Sequence, residues 1–198
     1  MTIPSDRVSG EDLEVWASAA PDGPVRRRGP ASSRTTPPAG AAAPAAGAPF
    51  PRASSPARDD YQGCFGCGGD SPSGLRIVET RVDGTSVEAE FAVRDVHQGA
   101  PGLAHGGLLA TAMDEVLGSV AWRLGGRYVT GRLETDFLAP VPVGATVRLR
   151  AWCNGVHGRK AYVEGEGRIG APDGPVAVRA AALFVEVPEE HFTKERLN

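Results

Sequence analysis

The chain has 198 residues, enough for one ordinary domain with length to spare but not for two large ones. Hydrophobic residues make up 41% and charged residues 23%, a globular balance, and a net charge of −3 argues against nucleic acid as a partner, since neutralising phosphates needs a basic face. No apolar run approaches the roughly 18 residues of a membrane span, and residues 1–16 lack the basic and apolar regions of a secretory signal.

Residues 1–58 read as a disordered tail. Nine of the 17 prolines fall in residues 21–58, where Ala, Pro, Gly, Ser and Thr fill 29 of 38 positions. Only Val25 and Phe50 are large and apolar there, too little buried surface to offset the entropy of ordering the segment. A turn or two of helix at 9–20 and the Arg26-Arg27-Arg28 cluster are its only features. Deleting the tail is expected to leave the protein folded. Three cysteines, Cys64, Cys67 and Cys153, cannot pair completely, which fits a reducing, cytoplasmic compartment.

The folded unit is expected over 59–198. Runs at 75–80 and 86–93, separated by a turn containing Asp83-Gly84, predict a hairpin. A Gly/Pro-rich connector at 99–102 leads to His105, and 108–124 is the one long helical pattern, ended by Gly125-Gly126. Strand patterns follow at 128–138, 146–155, 160–169 and 176–187, with Trp152, Tyr162 and Phe184 as core candidates and His191 exposed. On a helical wheel the apolar residues from Leu108 to Leu124 span about 220°, against about 100° for a surface helix. A sheet must therefore wrap this helix, an α+β arrangement.

Asp114 lies on the margin of that apolar arc, where a carboxylate is costly unless it is paired or used. His105-Gly106-Gly107 opens the helix, and the first amides of a helix are unpartnered and carry partial positive charge. Glycine lets a ligand approach that backbone closely, so the terminus suits a developing oxyanion. Cys64-Phe65-Gly66-Cys67 suggests zinc or redox chemistry. A structural zinc site needs four ligands, which His97 or His157 would have to complete, and no βαβ context supports a redox role. Both are taken as packing cysteines, with no metal.

The series from His97 through Gln98, Gly99, Pro101 and Gly102 to His105-Gly106-Gly107, with Asp114 nine residues after the histidine, resembles the hotdog-fold acyl-CoA thioesterases of the PaaI-like branch. The resemblance continues through Thr130, the segment Asp136-Phe137-Leu138-Ala139-Pro140 and the turn Gly158-Arg159-Lys160. Upstream it takes in Cys64 to Gly68 and Pro72-Ser73-Gly74-Leu75. It implies a hotdog fold, an antiparallel sheet of five to six strands around one central helix. It also implies hydrolysis of acyl-CoA or another small thioester, without a cofactor beyond the CoA of the substrate. Catalytic roles would fall to Asp114, Gly106, His105 and Thr130, and substrate binding to Gln98, Gly107, Met113, Arg159 and Lys160.

Geometry adds a point of its own. Gly106 and Asp114 are eight residues apart, about 12 Å along a helix, yet both must approach one carbonyl within roughly 3.5 Å. If both act, Asp114 comes from a second chain, which makes the protein a homodimer or a dimer of dimers. The competing readings are a non-catalytic acyl-CoA sensor, a carrier-protein thioesterase and a hotdog dehydratase.

Overall fold

The computed structural model describes residues 34–47 and 61–192. The helical pattern at 9–20 and the Arg26–Arg28 cluster lie outside these residues. Six strands form one antiparallel sheet: β1 (Val78–Asp83), β2 (Ser86–Ala92), β3 (Tyr128–Phe137), β4 (Thr146–His157), β5 (Lys160–Ile169) and β6 (Val176–Glu186). Their order across the sheet is β1-β2-β4-β5-β6-β3, so β1 and β3 are its edges. Among the described residues a single long helix, α1 (Gly106–Trp122), packs against the sheet, touching β2 through β6. This is the expected α+β architecture.

The helix begins where its cap begins. His105 holds extended backbone (φ −68°, ψ 130°) and its Nδ1 accepts from the Gly107 amide at 2.9 Å. At the other end Gly125 takes φ 90°, the left-handed position that stops a helix at little cost for glycine. Between them Leu109, Ala112, Met113, Val116, Leu117, Val120 and Ala121 are buried, as the wheel requires. Trp122, on the polar side of that wheel, is buried too, because its indole donates to the Tyr128 carbonyl at 2.9 Å and pins the helix to the start of β3.

The first strand starts later than the pattern predicts. Leu75 and Ile77 are buried, but they belong to a loop whose amides bond the carbonyls of Phe65 and Gly66. Arg76 between them takes φ 55°, which breaks extended backbone. Trp152 is only half-buried, since alternation along β4 sends Ala151 and Cys153 to the helix side instead.

Residues 34–47 differ from the disordered tail expected of 1–58, for they run against the domain. Thr35 is fully buried and donates to Glu134 of β3 at 2.7 Å. Ala42 exchanges two backbone hydrogen bonds with Val156, extending the end of β4 that β2 leaves unpaired. A bulge at Asn154 turns Gly155 to the sheet's outer side, and a Cβ there would meet Ala41 and Pro37 at 3.3 Å. Tyr162, its register partner, is buried although it faces away from the helix. Gly47 then donates to the Arg123 carbonyl beyond the helix end. Backbone pairing and small side chains hold this strap, and neither produces a hydrophobic signal. Deletion of residues 1–47 should lower the melting temperature by about 2–8 °C relative to deletion of 1–33, the shift for roughly 1–2 kcal/mol. Equal melting temperatures would show that the strap contributes no stability.

Candidate functional site

A bulge in β3 builds the first part of the site. The register passes from Thr130 opposite Phe184 to Arg132 opposite Leu183, leaving Gly131 as the extra residue. Without it Thr130 and Arg132 would share a face. With it Thr130 turns inward to the helix, while Arg132 and Glu134 turn outward and pair at 2.7 Å. Thr130 Oγ1 then donates to Asp114 Oδ1 at 2.8 Å. The half-buried carboxylate is thus oriented by a hydroxyl on an edge strand.

The helix start is held as firmly. Gln98 bridges to Ala104, and its Oε1 accepts from the Gly102 amide at 2.8 Å, closing the 98–104 loop on itself. A Cβ at Gly99 would lie 2.8 Å from the His105 backbone, so only glycine allows this approach. His105 donates its own amide to the His97 carbonyl at 2.9 Å. His97 is buried beneath, its Nδ1 accepting from the Arg94 amide at 3.0 Å. Burial first, and the Arg94 guanidinium second, push its imidazole below the ordinary range, although the carbonyls of Gly74 and Ser73 oppose this. Arg94 also reaches the carbonyls of Pro72 and Gly74, which ties the 71–74 turn to this loop.

The residues singled out from sequence separate accordingly. Asp114 and Thr130 come together. Gly106 lies at the first helical position, with the Phe137 ring edge 3.5 Å from where a Cβ would sit. His105 caps the helix, and the Gly107 amide is taken up by that cap. Gln98 is used to close its loop. Met113 is fully buried against β5, with its terminal methyl 3.1 Å from a Cβ placed at Gly165, and so belongs to the core. Arg159 and Lys160 form an exposed turn, Arg159 reaching the Glu186 carbonyl at 3.4 Å. Ala161 and Thr130 both oppose Phe184 of β6, which places that turn about 10 Å from Thr130, two strand spacings away.

Two features escaped the sequence reading. Phe137 is 56% exposed beside Gly106, and an exposed aromatic at the end of a strand leaves no pattern to find. Glu115 does not share the Asp114 site, for its carboxylate turns to the 61–77 loop, where Cys64 Sγ lies 3.8 Å from Oε2. Burial, with the Glu115 carboxylate adding to it, pushes the Cys67 thiol well above its ordinary range.

Residues 101–174, from the loop before α1 to the turn after β5, match the family model of the thioesterase superfamily. Acyl-coenzyme A thioesterase THEM4 of Xenopus laevis is 32% identical over 90 residues, covering 46% of this chain and 40% of that protein. The chain therefore spans less than half the length of this curated relative. A phenylacetic acid degradation-related thioesterase of Ralstonia eutropha JMP134 is 26% identical, with a TM-score of 0.51 over 56% of this chain and 85% of that one. A Streptococcus pneumoniae TIGR4 thioesterase, solved with coenzyme A, shares the fold at a TM-score of 0.53 and 18% identity over 56% of this chain and 85% of that one. The described domain, with its sheet wrapped on one helix, has the hotdog fold, and residues 101–174 within it are similar to the thioesterase superfamily.

Proposed function

We propose that the domain is an acyl-CoA thioesterase of the PaaI-like branch, which hydrolyses a small acyl-CoA to the free acid and CoA. The observation that carries this reading is the Thr130–Asp114 hydrogen bond, which aims a carboxylate from the flank of a helix in a superfamily of thioesterases. THEM4 is described as an acyl-CoA thioesterase, and the S. pneumoniae relative holds coenzyme A.

In this reading the Gly106 amide, at the positive end of α1, receives the thioester oxygen as negative charge develops on it. Asp114 then either attacks the carbonyl carbon to give a mixed anhydride or takes a proton from the attacking water. Thr130 fixes the carboxylate in either case. His105 serves by holding the helix start, and no cofactor is required beyond the CoA of the substrate. The thiols of Cys64, Cys67 and Cys153 are free, which fits the reducing cytoplasm.

Eight helical residues separate Gly106 from Asp114, about 12 Å, so one chain does not supply both to one carbonyl. The second chain is expected across β3. This edge is ten residues long and leads into Phe137 and Leu138, 56% and 38% exposed, whereas the other edge, β1, has only six residues. Pairing β3 with its copy gives a two-fold dimer with two equivalent sites.

Release of CoA thiol from a panel of acyl-CoAs tests the activity. Arg159→Ala and Lys160→Ala should raise KM for acyl-CoA about tenfold with kcat little changed, because these cations face nucleotide phosphates without touching the reacting carbonyl. Acyl-pantetheine, which lacks those phosphates, is the control, and equal losses on both substrates would make the turn structural. A wild-type preference for a carrier-protein thioester would replace the CoA assignment.

A further inference from the structure

The two cysteines of the 61–77 loop face an unexpected partner. Tight turns, with Cys64 N–H bonded to the Tyr61 carbonyl and Gly68 N–H to the Cys64 carbonyl, each at 2.9 Å, fold the loop over the flank of α1. They bring Cys64 Sγ, Cys67 Sγ and a Glu115 carboxylate oxygen all within 4.8 Å of one another, each residue half-buried. Gly66 lies between the thiols because a Cβ there would stand only 2.4 Å from Glu115 Oε2. The loop is thus shaped to admit the carboxylate.

We propose that Cys64, Cys67 and Glu115 form a binding site for a thiophilic divalent cation of the zinc type. Zinc holds thiolate sulfur at about 2.3 Å and carboxylate oxygen at about 2.0 Å, so tetrahedral ligands stand roughly 3.5 to 3.8 Å apart. The 3.8 Å from Cys64 Sγ to Glu115 Oε2 is close to that spacing, and the wider group closes on an ion by small side-chain rotations. A cavity of about 240 Å³ lies beside Cys67, lined also by Tyr61, Gln62 and Gly69. The motif that lacked a second pair of ligands in sequence finds its third ligand on the helix. Histidine does not supply it, since His97 is bound to Arg94 and His157 stands at the exposed end of β4.

The chemistry is self-consistent. Zinc binds cysteine as the thiolate, so a divalent cation entering this site displaces the thiol protons. Bound there, the ion joins the 61–77 loop to the helix that carries Asp114 while leaving Asp114 itself, turned to Thr130, outside its coordination. The site is a clamp on the scaffold and does not depend on the proposed hydrolysis.

Cobalt titration of the full chain, reduced with a phosphine that does not compete for metal, tests it directly. One equivalent of Co²⁺ should give the sulfur-to-cobalt charge-transfer band and the visible bands of a four-coordinate site, and Zn²⁺ should displace it. Cys64→Ser and Cys67→Ser should abolish the charge-transfer band, Cys153→Ser should leave it unchanged, and Glu115→Gln should weaken cobalt binding at least about tenfold. Zinc should also raise the melting temperature of the wild type but not of Cys67→Ser. X-ray absorption of the zinc-loaded wild type needs no variant, and should count two sulfur scatterers with oxygen or nitrogen completing the shell. Absence of the charge-transfer band in the wild type, unchanged binding by Glu115→Gln, or a sulfur count other than two would overturn the site.

Discussion

Asp114→Asn should lower kcat on the best acyl-CoA by at least about 10²-fold, the scale of a positioned base or nucleophile, with the fold retained. The substitution keeps the side chain's shape and an oxygen to accept from Thr130 Oγ1, which now stands 2.8 Å from Oδ1. What it removes is the negative charge, and with it both attack on the carbonyl and proton abstraction from water. Thr130→Ala should cost less, about tenfold, because it loosens the carboxylate without neutralising it. Thermal melting and circular dichroism establish that each variant is folded, and single-turnover kinetics separate chemistry from product release. An unchanged rate in folded Asp114→Asn would remove this residue from the reaction. An equal loss in Thr130→Ala would instead make the hydroxyl a direct participant.

The fold was legible because its strongest signals are periodic. The broad apolar arc of α1 could only belong to a helix wrapped by a sheet, and the alternation of Val87, Ala89 and Phe91 with Glu88 and Glu90 marks β2 as half-buried. Irregular backbone was not legible. The left-handed Arg76 delays β1, and the bulge at Gly131 decides which face Thr130 presents, yet neither leaves a mark in hydrophobicity. Resemblance named Thr130 while the bulge explains how it reaches Asp114. The wheel placed Met113 on the apolar arc, and its full burial depends on Gly165 of β5, whose missing side chain leaves room for the methionine's terminal methyl, a close approach that no apolar pattern shows. The strap at 34–47 was read as tail for a related reason. Its hold on the domain rests on one buried threonine, a backbone bridge and the notch at Gly155, all invisible to an apolar count.

The second large effect is expected at Gly106. Gly106→Pro removes the amide proposed to receive the thioester oxygen and should lower kcat by about 10²–10³-fold, the loss for one oxyanion donor. Proline is tolerated at the first helical position, where its fixed φ suits the helix and the missing N–H breaks no bond within it. His105 already holds the extended backbone that a following proline demands, and its cap to the Gly107 amide is untouched. Gly106→Ala is the matched control, since its Cβ would meet the Phe137 ring at an ordinary 3.5 Å and the amide would remain. Near wild-type activity in Gly106→Ala beside a large loss in Gly106→Pro isolates the N–H from the side chain. The same variant tests the shared site. A hybrid dimer of one Gly106→Pro chain and one Asp114→Asn chain has one site carrying both defects and one carrying neither. If each site draws Gly106 from one chain and Asp114 from the other, the hybrid should recover about half of wild-type activity although both parent homodimers are inactive. Purifying the hybrid through two different tags makes the measurement direct, and no recovery in a dimer shown to be hybrid would confine each site to a single chain.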